Sequence, residues 1–398
     1  MVPSKVLVLT HNFIRFREDS AGQFVFTLTK ELANDFQIFI LAPHEKGLPR
    51  YEVIDNIKVI RSRYHFARFE TLAYRGDMHE RVLRKFSCKI AFAFMLISFL
   101  FNAYNIIRKN KIKILHCHWW IPAGLVGYLL TLVTKARLVL TTHGTDVFIL
   151  RKFRWAIPLA QRVFKKAEVI TVISSCLKTL LGSALKIDPG KIWVFPMPFD
   201  TRKFYPLQDR KTVKGGILSI GRLIERKGYQ YLIEACRLLK DQKINFHLII
   251  IGNGPDEERL KKLVSSQGLW DEVEIKGNLD QNQLLLFYNS AEVFVLPSIT
   301  DWKMEAEGLG MVLLEAMACK IPVIGTKSGG IPDIVINEKT GLLVPEKNSS
   351  LLAEAIKRYL LDEDLGNRMA EGGYRFVQEN FTPKAIAGKL RGIYQKLE

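Results

Sequence analysis

Thirteen short apolar runs alternate with helical periods along the chain, and this alternation limits the fold more than any other feature. Seven precede residue 200: VLVL at 6–9, IFIL at 38–41, IKVI at 57–60, ILHCH at 114–118, LVLTT at 138–142, VITVIS at 169–174 and IWVF at 192–195. Six follow it: ILSIG at 217–221, HLIII at 247–251, VEIKG at 273–277, VFVLP at 293–297, PVIG at 322–325 and GLLV at 341–344. Runs rich in Val, Ile and Leu without polar alternation read as strands buried on both faces. Helical periods fill the gaps, as at 226–240, 255–267 and 311–319. Strands and helices in alternation imply parallel, doubly wound sheets.

The alternation breaks at 196–215, PMPFDTRKFYPLQDRKTVKG, which carries three prolines and many charges and reads as a linker. A chain of 398 residues exceeds one hydrophobic core. Two α/β domains are therefore expected, at 1–200 and 209–378. The segment 379–398 reads as a helix, with Thr382-Pro383 as cap and first turn.

The net charge of +18 is uneven. Residues 1–200 hold 30 Lys/Arg against 14 Asp/Glu, and residues 201–398 hold 28 against 26. Between Glu80 and Asp146 lie ten basic residues and no acidic one. Such a field attracts a polyanion, an anionic membrane or a charged acceptor; a merely solvated basic surface is the plainer account. The apolar run 90–101, IAFAFMLISFLF, is twelve residues, short of the roughly 20 needed to cross a bilayer. It reads as a buried or interface-lying helix. The opening MVPSKVLVLT reads as a first strand rather than a signal peptide. Five scattered cysteines without a CxxC pair fit a reducing compartment. The expected location is cytoplasmic, with peripheral contact at the inner membrane face.

Open parallel sheets bind ligands beyond the carboxyl ends of their strands. In SIGRLIERKG, Arg222 and Lys227 follow a strand end and suit a diphosphate. In IIIGNGP, Gly252 and Gly254 permit a tight turn and close ligand approach, although ordinary strand-to-helix turns use the same pattern. In LPSITDWKMEAEGLGMVLLEAMA, Gly308 and Gly310 bare backbone N–H groups at a helix start, an anion site. Glu307 lies just before that helix. Glu315 lies inside its apolar run, where a carboxylate needs hydrogen bonds such as a ribose diol supplies. Gly329-Gly330 opens a further turn, either pocket wall or plain structure. In the first half, Ala21-Gly22 begins a helix, and His143 in TTHGTD follows a strand, as do His116 and His118. No metal cluster stands out: the DxD at Asp362–Asp364 lies in a surface-type helix pattern.

These motifs together resemble the family-4 retaining glycosyltransferases. The resemblance runs over essentially the whole chain. Its strongest part is the E-x7-E pair, Glu307 and Glu315, followed by PVI and GGIPD; GRLIERKG, THGTD and the P-F-D-x-x-x-F-x-P linker add to it. The resemblance implies a GT-B fold, two Rossmann-like domains facing a cleft, with the C-terminal helix packing back on the first. It implies that Arg222 and Lys227 bind the donor diphosphate and Glu307 the donor sugar. Gly308, Leu309 and Gly310 would offer backbone amides, Glu315 would hold the ribose, and Gly252 would line the nucleotide-sugar site. His143 would lie by the sugar ring and Gly22 near the phosphate or acceptor. The first loop departs from the family pattern, with Ala21-Gly22 where two glycines are usual.

The implied reaction moves a sugar, with retention, from a nucleoside diphosphate sugar (UDP- or GDP-linked) to a hydroxyl of a sugar, lipid-linked or glycan acceptor. Polysaccharide, lipopolysaccharide or glycolipid synthesis is the implied setting. No metal or other cofactor is called for, because two cations and a helix start neutralise the leaving group. No nucleic-acid partner is expected. The alternatives are a basic nucleic-acid-binding α/β protein, which the charge favours but no RNA-binding signature supports, and a GT-B epimerase or phosphorylase.

Overall fold

The structure is a computed structural model that describes residues 3–17, 19, 21–74, 78–302 and 304–398. The chain divides into two compact units. Unit 1 comprises Met1–Ile173, Leu177–Pro198 and Pro383–Glu398; unit 2 comprises Ser174–Cys176 and Phe199–Thr382.

The first seven apolar runs all become strands, joined by an eighth. They are β1 (Lys5–Leu9), β2 (Gln37–Pro43), β3 (Tyr51–Ile54), β4 (Ile57–Ser62), β5 (Ile114–His118), β6 (Arg137–Thr142), β7 (Val169–Val172) and β8 (Ile192–Val194). One sheet forms in the order β3-β4-β2-β1-β5-β6-β7-β8. Every pairing is parallel except the β3–β4 hairpin. The helices between them are α1 (Gln23–Leu32), α2 (Met78–Arg84), α3 (Phe86–Asn110), α4 (Leu125–Val133), α5 (Thr145–Lys152), α6 (Ile157–Lys166) and α7 (Ser175–Leu185). Strand β1 sits where the order reverses, between β2 and β5, so a crevice opens beyond its carboxyl end.

Unit 2 repeats the design. Strands β9 (Gly216–Ile220), β10 (His247–Ile251), β11 (Val273–Lys276), β12 (Val293–Leu296), β13 (Val323–Thr326) and β14 (Leu342–Val344) form an all-parallel sheet. Its order is β11-β10-β9-β12-β13-β14, with β9 at the reversal. Helices α8 (Tyr229–Asp241), α9 (Glu257–Ser266), α10 (Gln281–Ser290), α11 (Met311–Ala318), α12 (Ser349–Leu361) and α13 (Glu363–Asn380) complete it. The last helix, α14 (Pro383–Lys396), belongs to unit 1 and packs on α1. Its Tyr394 is fully buried, edge-on to Phe36 at 5.3 Å.

One sequence expectation is corrected. The apolar run 90–101 is only the middle of α3, which spans 25 residues and is long and apolar enough to cross a membrane. The helix runs on through Asn102, whose amide donates to the Ser98 carbonyl one turn back and to the Ser62 hydroxyl. One face of α3, Cys88, Ala91, Met95, Phe99, Ala103 and Ile107, is buried against unit 1. The opposite face leaves Phe86, Phe94, Ile97 and Phe101 at least half exposed.

Candidate active site

In unit 2 the loop after β9 turns through Glu225–Lys227 into α8. Gly228 makes the turn possible: its φ is 66°, and a Cβ there would meet the Pro297 carbonyl oxygen at 2.0 Å. The loop is thereby pressed onto the end of β12. Lys227 Nζ then reaches Glu307 Oε2 at 2.7 Å, and the Ser298 hydroxyl donates to the same oxygen at 3.1 Å. The Lys227 and Glu307 side chains are only 13% and 15% exposed. Burial pushes the Glu307 carboxyl up, but the charge and hydrogen bond of Lys227, with Ser298, hold it net below its usual range. An ammonium has three donors, so Lys227 keeps capacity for a second anion.

Glu307 stands just before α11, whose N-cap is Gly310 in the left-handed region, φ 89°, without a side-chain cap. The Leu313 N–H closes the turn onto the Gly310 carbonyl at 2.9 Å, and the N–H groups before it have no side-chain cap, the arrangement that suits an anion. Leu309 is buried, so its contribution is its backbone. The Gly329-Gly330 turn braces this loop from behind. The Gly330 N–H donates to the Glu307 carbonyl at 2.9 Å, and Cβ atoms at Gly329 and Gly330 would strike the Glu307 and Gly308 carbonyl oxygens at 2.0 and 2.3 Å. Glu315, just over a turn into α11, accepts from the Tyr288 hydroxyl at 2.6 Å. Burial raises its carboxyl, and the Tyr288 bond opposes the shift. Arg222 is exposed at the end of β9, with no carboxylate paired to it among the described residues.

Two glycines also lie where the chain packs closely on itself. A Cβ at Gly252 would meet the Gly221 carbonyl oxygen at 2.0 Å, and one at Gly22 would meet the Asn12 carbonyl oxygen at 2.5 Å. The close approach that each permits is chain to chain.

In unit 1, four histidines gather at the carboxyl ends of β1, β5 and β6. His118 stacks on His116 at 4.5 Å and on His143 at 5.3 Å. His118 Nδ1 and His143 Nε2 are hydrogen-bonded at 3.1 Å, one donating and the other accepting according to tautomer. His116 is held by the Tyr394 hydroxyl and Thr141 Oγ1, each at 2.6 Å. Burial pushes His11, His116 and His143 down to about 3 and His118 well below its usual value, so all four are neutral. Asp146, the last residue of THGTD, accepts from the backbone N–H groups of Trp120 and His143, both at 3.1 Å. Burial raises its carboxyl to about 6. The pair fixes the His143 turn against Trp119 and Trp120.

Among the described residues, ten buried side-chain polar atoms lack a hydrogen-bond partner. Five belong to His11, Asn12, Gln23, His118 and Thr142, at the ends of β1, β5 and β6 or the start of α1. Three more, on Arg226, Tyr229 and Ser328, flank the Glu307 loop of unit 2. Eight of the ten lie at two sheet ends, the place where open parallel sheets bind ligands. The sequence brought Glu307, Lys227, Arg222, Glu315 and His143 to notice. It did not bring out Ser298, Tyr288, His11, Asn12 or Asp146; the only signal for Asp146 was its place in the THGTD motif.

Two doubly wound parallel-sheet units, each with polar groups converging beyond its switch-point strand, define a GT-B type of α/β protein. Sucrose-phosphate synthase from Thermosynechococcus elongatus has the same fold, with a TM-score of 0.75 and 24% identity over 99% of both chains. The family model for Glycosyltransferase Family 4 matches residues 21–203, and that for Glycosyl transferases group 1 matches residues 206–376. A GDP-mannose-dependent alpha-(1-6)-phosphatidylinositol monomannoside mannosyltransferase of Mycobacterium tuberculosis is 30% identical over 284 residues, 68% of this chain and 72% of that one. WcaL of Escherichia coli, named for colanic acid biosynthesis, is 32% identical over 271 residues; the match spans 67% of this chain and 66% of WcaL. The chain belongs to glycosyltransferase family 4.

Proposed function

We propose that the protein transfers a sugar, with retention, from a nucleoside diphosphate sugar to an acceptor hydroxyl in polysaccharide or glycolipid synthesis. The observation that carries this is the buried Lys227–Glu307 pair beside the glycine-capped start of α11, with Glu315 on the same helix. Lys227, Arg222 and the α11 N–H groups neutralise the departing diphosphate, and Glu307 takes hydroxyls of the transferred sugar. Glu315, positioned by Tyr288, binds the ribose. Unit 1 carries the acceptor, and neutral His143 is able to donate or accept a hydrogen bond there. The names of the relatives support the setting: one is named as GDP-mannose-dependent and for phosphatidylinositol monomannoside, and another for colanic acid biosynthesis.

A double displacement needs a carboxylate on the sugar face opposite the leaving group. Asp146 is occupied by two N–H donors, so the same-face route fits better. In that route the C–O bond to the diphosphate breaks, the acceptor oxygen bonds the anomeric carbon on the same side, and the departing phosphate oxygen takes the acceptor proton. The protein's cations supply the charge stabilisation, so activity is expected to survive a chelator. Peripheral contact with an anionic membrane completes the proposal, resting on the exposed apolar face of α3 and the cations at its ends.

A panel of nucleoside diphosphate sugars, scored by the rise in melting temperature, tests the proposal. One donor class is expected to stabilise the protein and to release free nucleoside diphosphate when a sugar acceptor is added. A panel in which no member binds overturns it.

A further inference from the structure

Unit 1 contains a cleft of about 370 Å³, within the size range of ligand sites. Its walls come from α2, α3, α5 and the segment after β5. Most of the lining is apolar, including Val82, Leu83, Phe92, Ile149 and Leu150. Two of its residues are well exposed and form a mouth, Leu83 at 41% and Trp155 at 78%. Polar lining comes from His11, Asn12 and Asp146. Asp146 is already occupied, whereas His11 Nδ1 and Asn12 Oδ1 are buried without partners. Exposed cations stand beside the mouth in sequence: Arg84 and Lys85 after Leu83, and Arg154 before Trp155.

A site for a wholly polar acceptor would carry hydrogen-bonding groups along its length. This cleft has unpaired polar atoms in one part, aliphatic and aromatic walls in the rest, and positive charge at its opening. We infer that it binds the apolar chain of an amphiphilic acceptor, with the acceptor sugar at His11 and Asn12. Water leaving the apolar walls favours the chain. The inference rests on the glycosyl-transfer proposal and deepens it by giving the class of acceptor and its place.

The probe is a dodecyl maltoside brominated at the far end of its chain, used with the full-length protein below the micelle-forming concentration. Bromine quenches tryptophan on contact. Trp119, Trp120 and Trp155 line the cleft, whereas Trp193, Trp270 and Trp302 lie outside it. Saturable quenching is expected, relieved by unbrominated dodecyl maltoside and not by maltose. Leu83→Glu, at the mouth, should weaken binding at least ~10-fold, equivalent to about 1.4 kcal/mol. Trp155→Gln, also at the mouth, is the second variant should the first melt early. Ile97→Glu, on the outer face of α3, should leave quenching unchanged. Absent or non-saturable quenching, relief by maltose, or loss in Ile97→Glu in place of the mouth variants overturns the inference. Donor-induced melting shifts on the same samples separate the two claims. A donor shift without quenching removes the chain site and leaves the transfer proposal; quenching without any donor shift removes the acceptor role itself.

Discussion

Lys227 and Glu307 form a close, nearly buried ion pair at 2.7 Å. Removing one partner of such a pair leaves a charge without compensation, beyond whatever the pair does for a ligand. Lys227→Ala and Glu307→Gln are each expected to lower turnover at least ~100-fold, the scale of one lost electrostatic contact to a transition state. Near-normal turnover in either variant, measured by nucleoside diphosphate release, would contradict their placement at the donor. Glu315 behaves differently, because it stands deeper and is held by Tyr288. Glu315→Ala should weaken binding of the free nucleoside diphosphate and affect turnover mainly through that loss. Tyr288→Phe should weaken it less, by the ~1 kcal/mol of one hydrogen bond. Calorimetric titration of the nucleotide separates the two, and equal affinities in all three proteins would show that Glu315 does not touch the ribose.

At the level of elements, the four histidines at the ends of β1, β5 and β6 make unit 1 sensitive to acid. Their values are depressed by burial, so the unfolded chain binds protons near 6.5 while the folded chain does not until about 3 for His11, His116 and His143. Their stabilising contribution is therefore present above 6.5 and is lost as pH falls below it, at up to roughly 1.4 kcal/mol per pH unit for each group. Asp146, raised to about 6, works in the opposite sense and offsets part of the loss. Melting temperature should fall steeply between pH 6.5 and 5, and a flat profile there would falsify the neutral assignment. Gly228→Ala should also destabilise, since φ of 66° and the Pro297 oxygen at 2.0 Å both exclude a side chain. The strands buried on both faces were legible because such strands read as unbroken apolar runs. Strand β3 was not, because an edge strand with exposed Tyr51 and Val53 lacks that pattern. Its only signal was the Asp55-Asn56 pair, whose φ values of 45° and 64° make the hairpin turn. Tyr288 reads in sequence as a core aromatic, and its hydroxyl finds Glu315 across 27 positions. Gly22 and Gly252 read as ligand approaches, and sequence alone did not show the neighbouring carbonyls that also press on them.

Across the whole molecule the charge is lopsided, with residues 1–200 at +16 and the remainder at +2. Within the basic part, α3 carries exposed Phe86, Ile90, Phe94, Ile97, Phe101 and Tyr104 along one side, over roughly 27 Å of helix. Exposed Arg84, Lys85 and Lys89 stand at one end, and Arg108, Lys109, Lys111 and Lys113 at the other. Length and hydropathy alone would let α3 span a bilayer. Spanning, however, would strip Cys88, Ala91, Met95, Phe99, Ala103 and Ile107 from the body of unit 1. Those side chains would stay out of water in the bilayer, but the apolar surface of unit 1 that they cover would be laid open, at about 25 cal/mol per Å². Lying flat keeps those contacts and buries the outer stripe among headgroups, with about 1 kcal/mol for each cation near anionic lipid. The expected behaviour is reversible docking. The protein should sediment with vesicles containing anionic lipid at low salt, release at high salt, and bind neutral vesicles far less. Changing Arg84, Lys85 and Lys89 together to Gln should release it, and Ile97→Glu should weaken it without altering the melting temperature. Equal sedimentation with neutral vesicles removes the role of the cations, and retention that survives both high salt and the triple change points to an inserted helix instead.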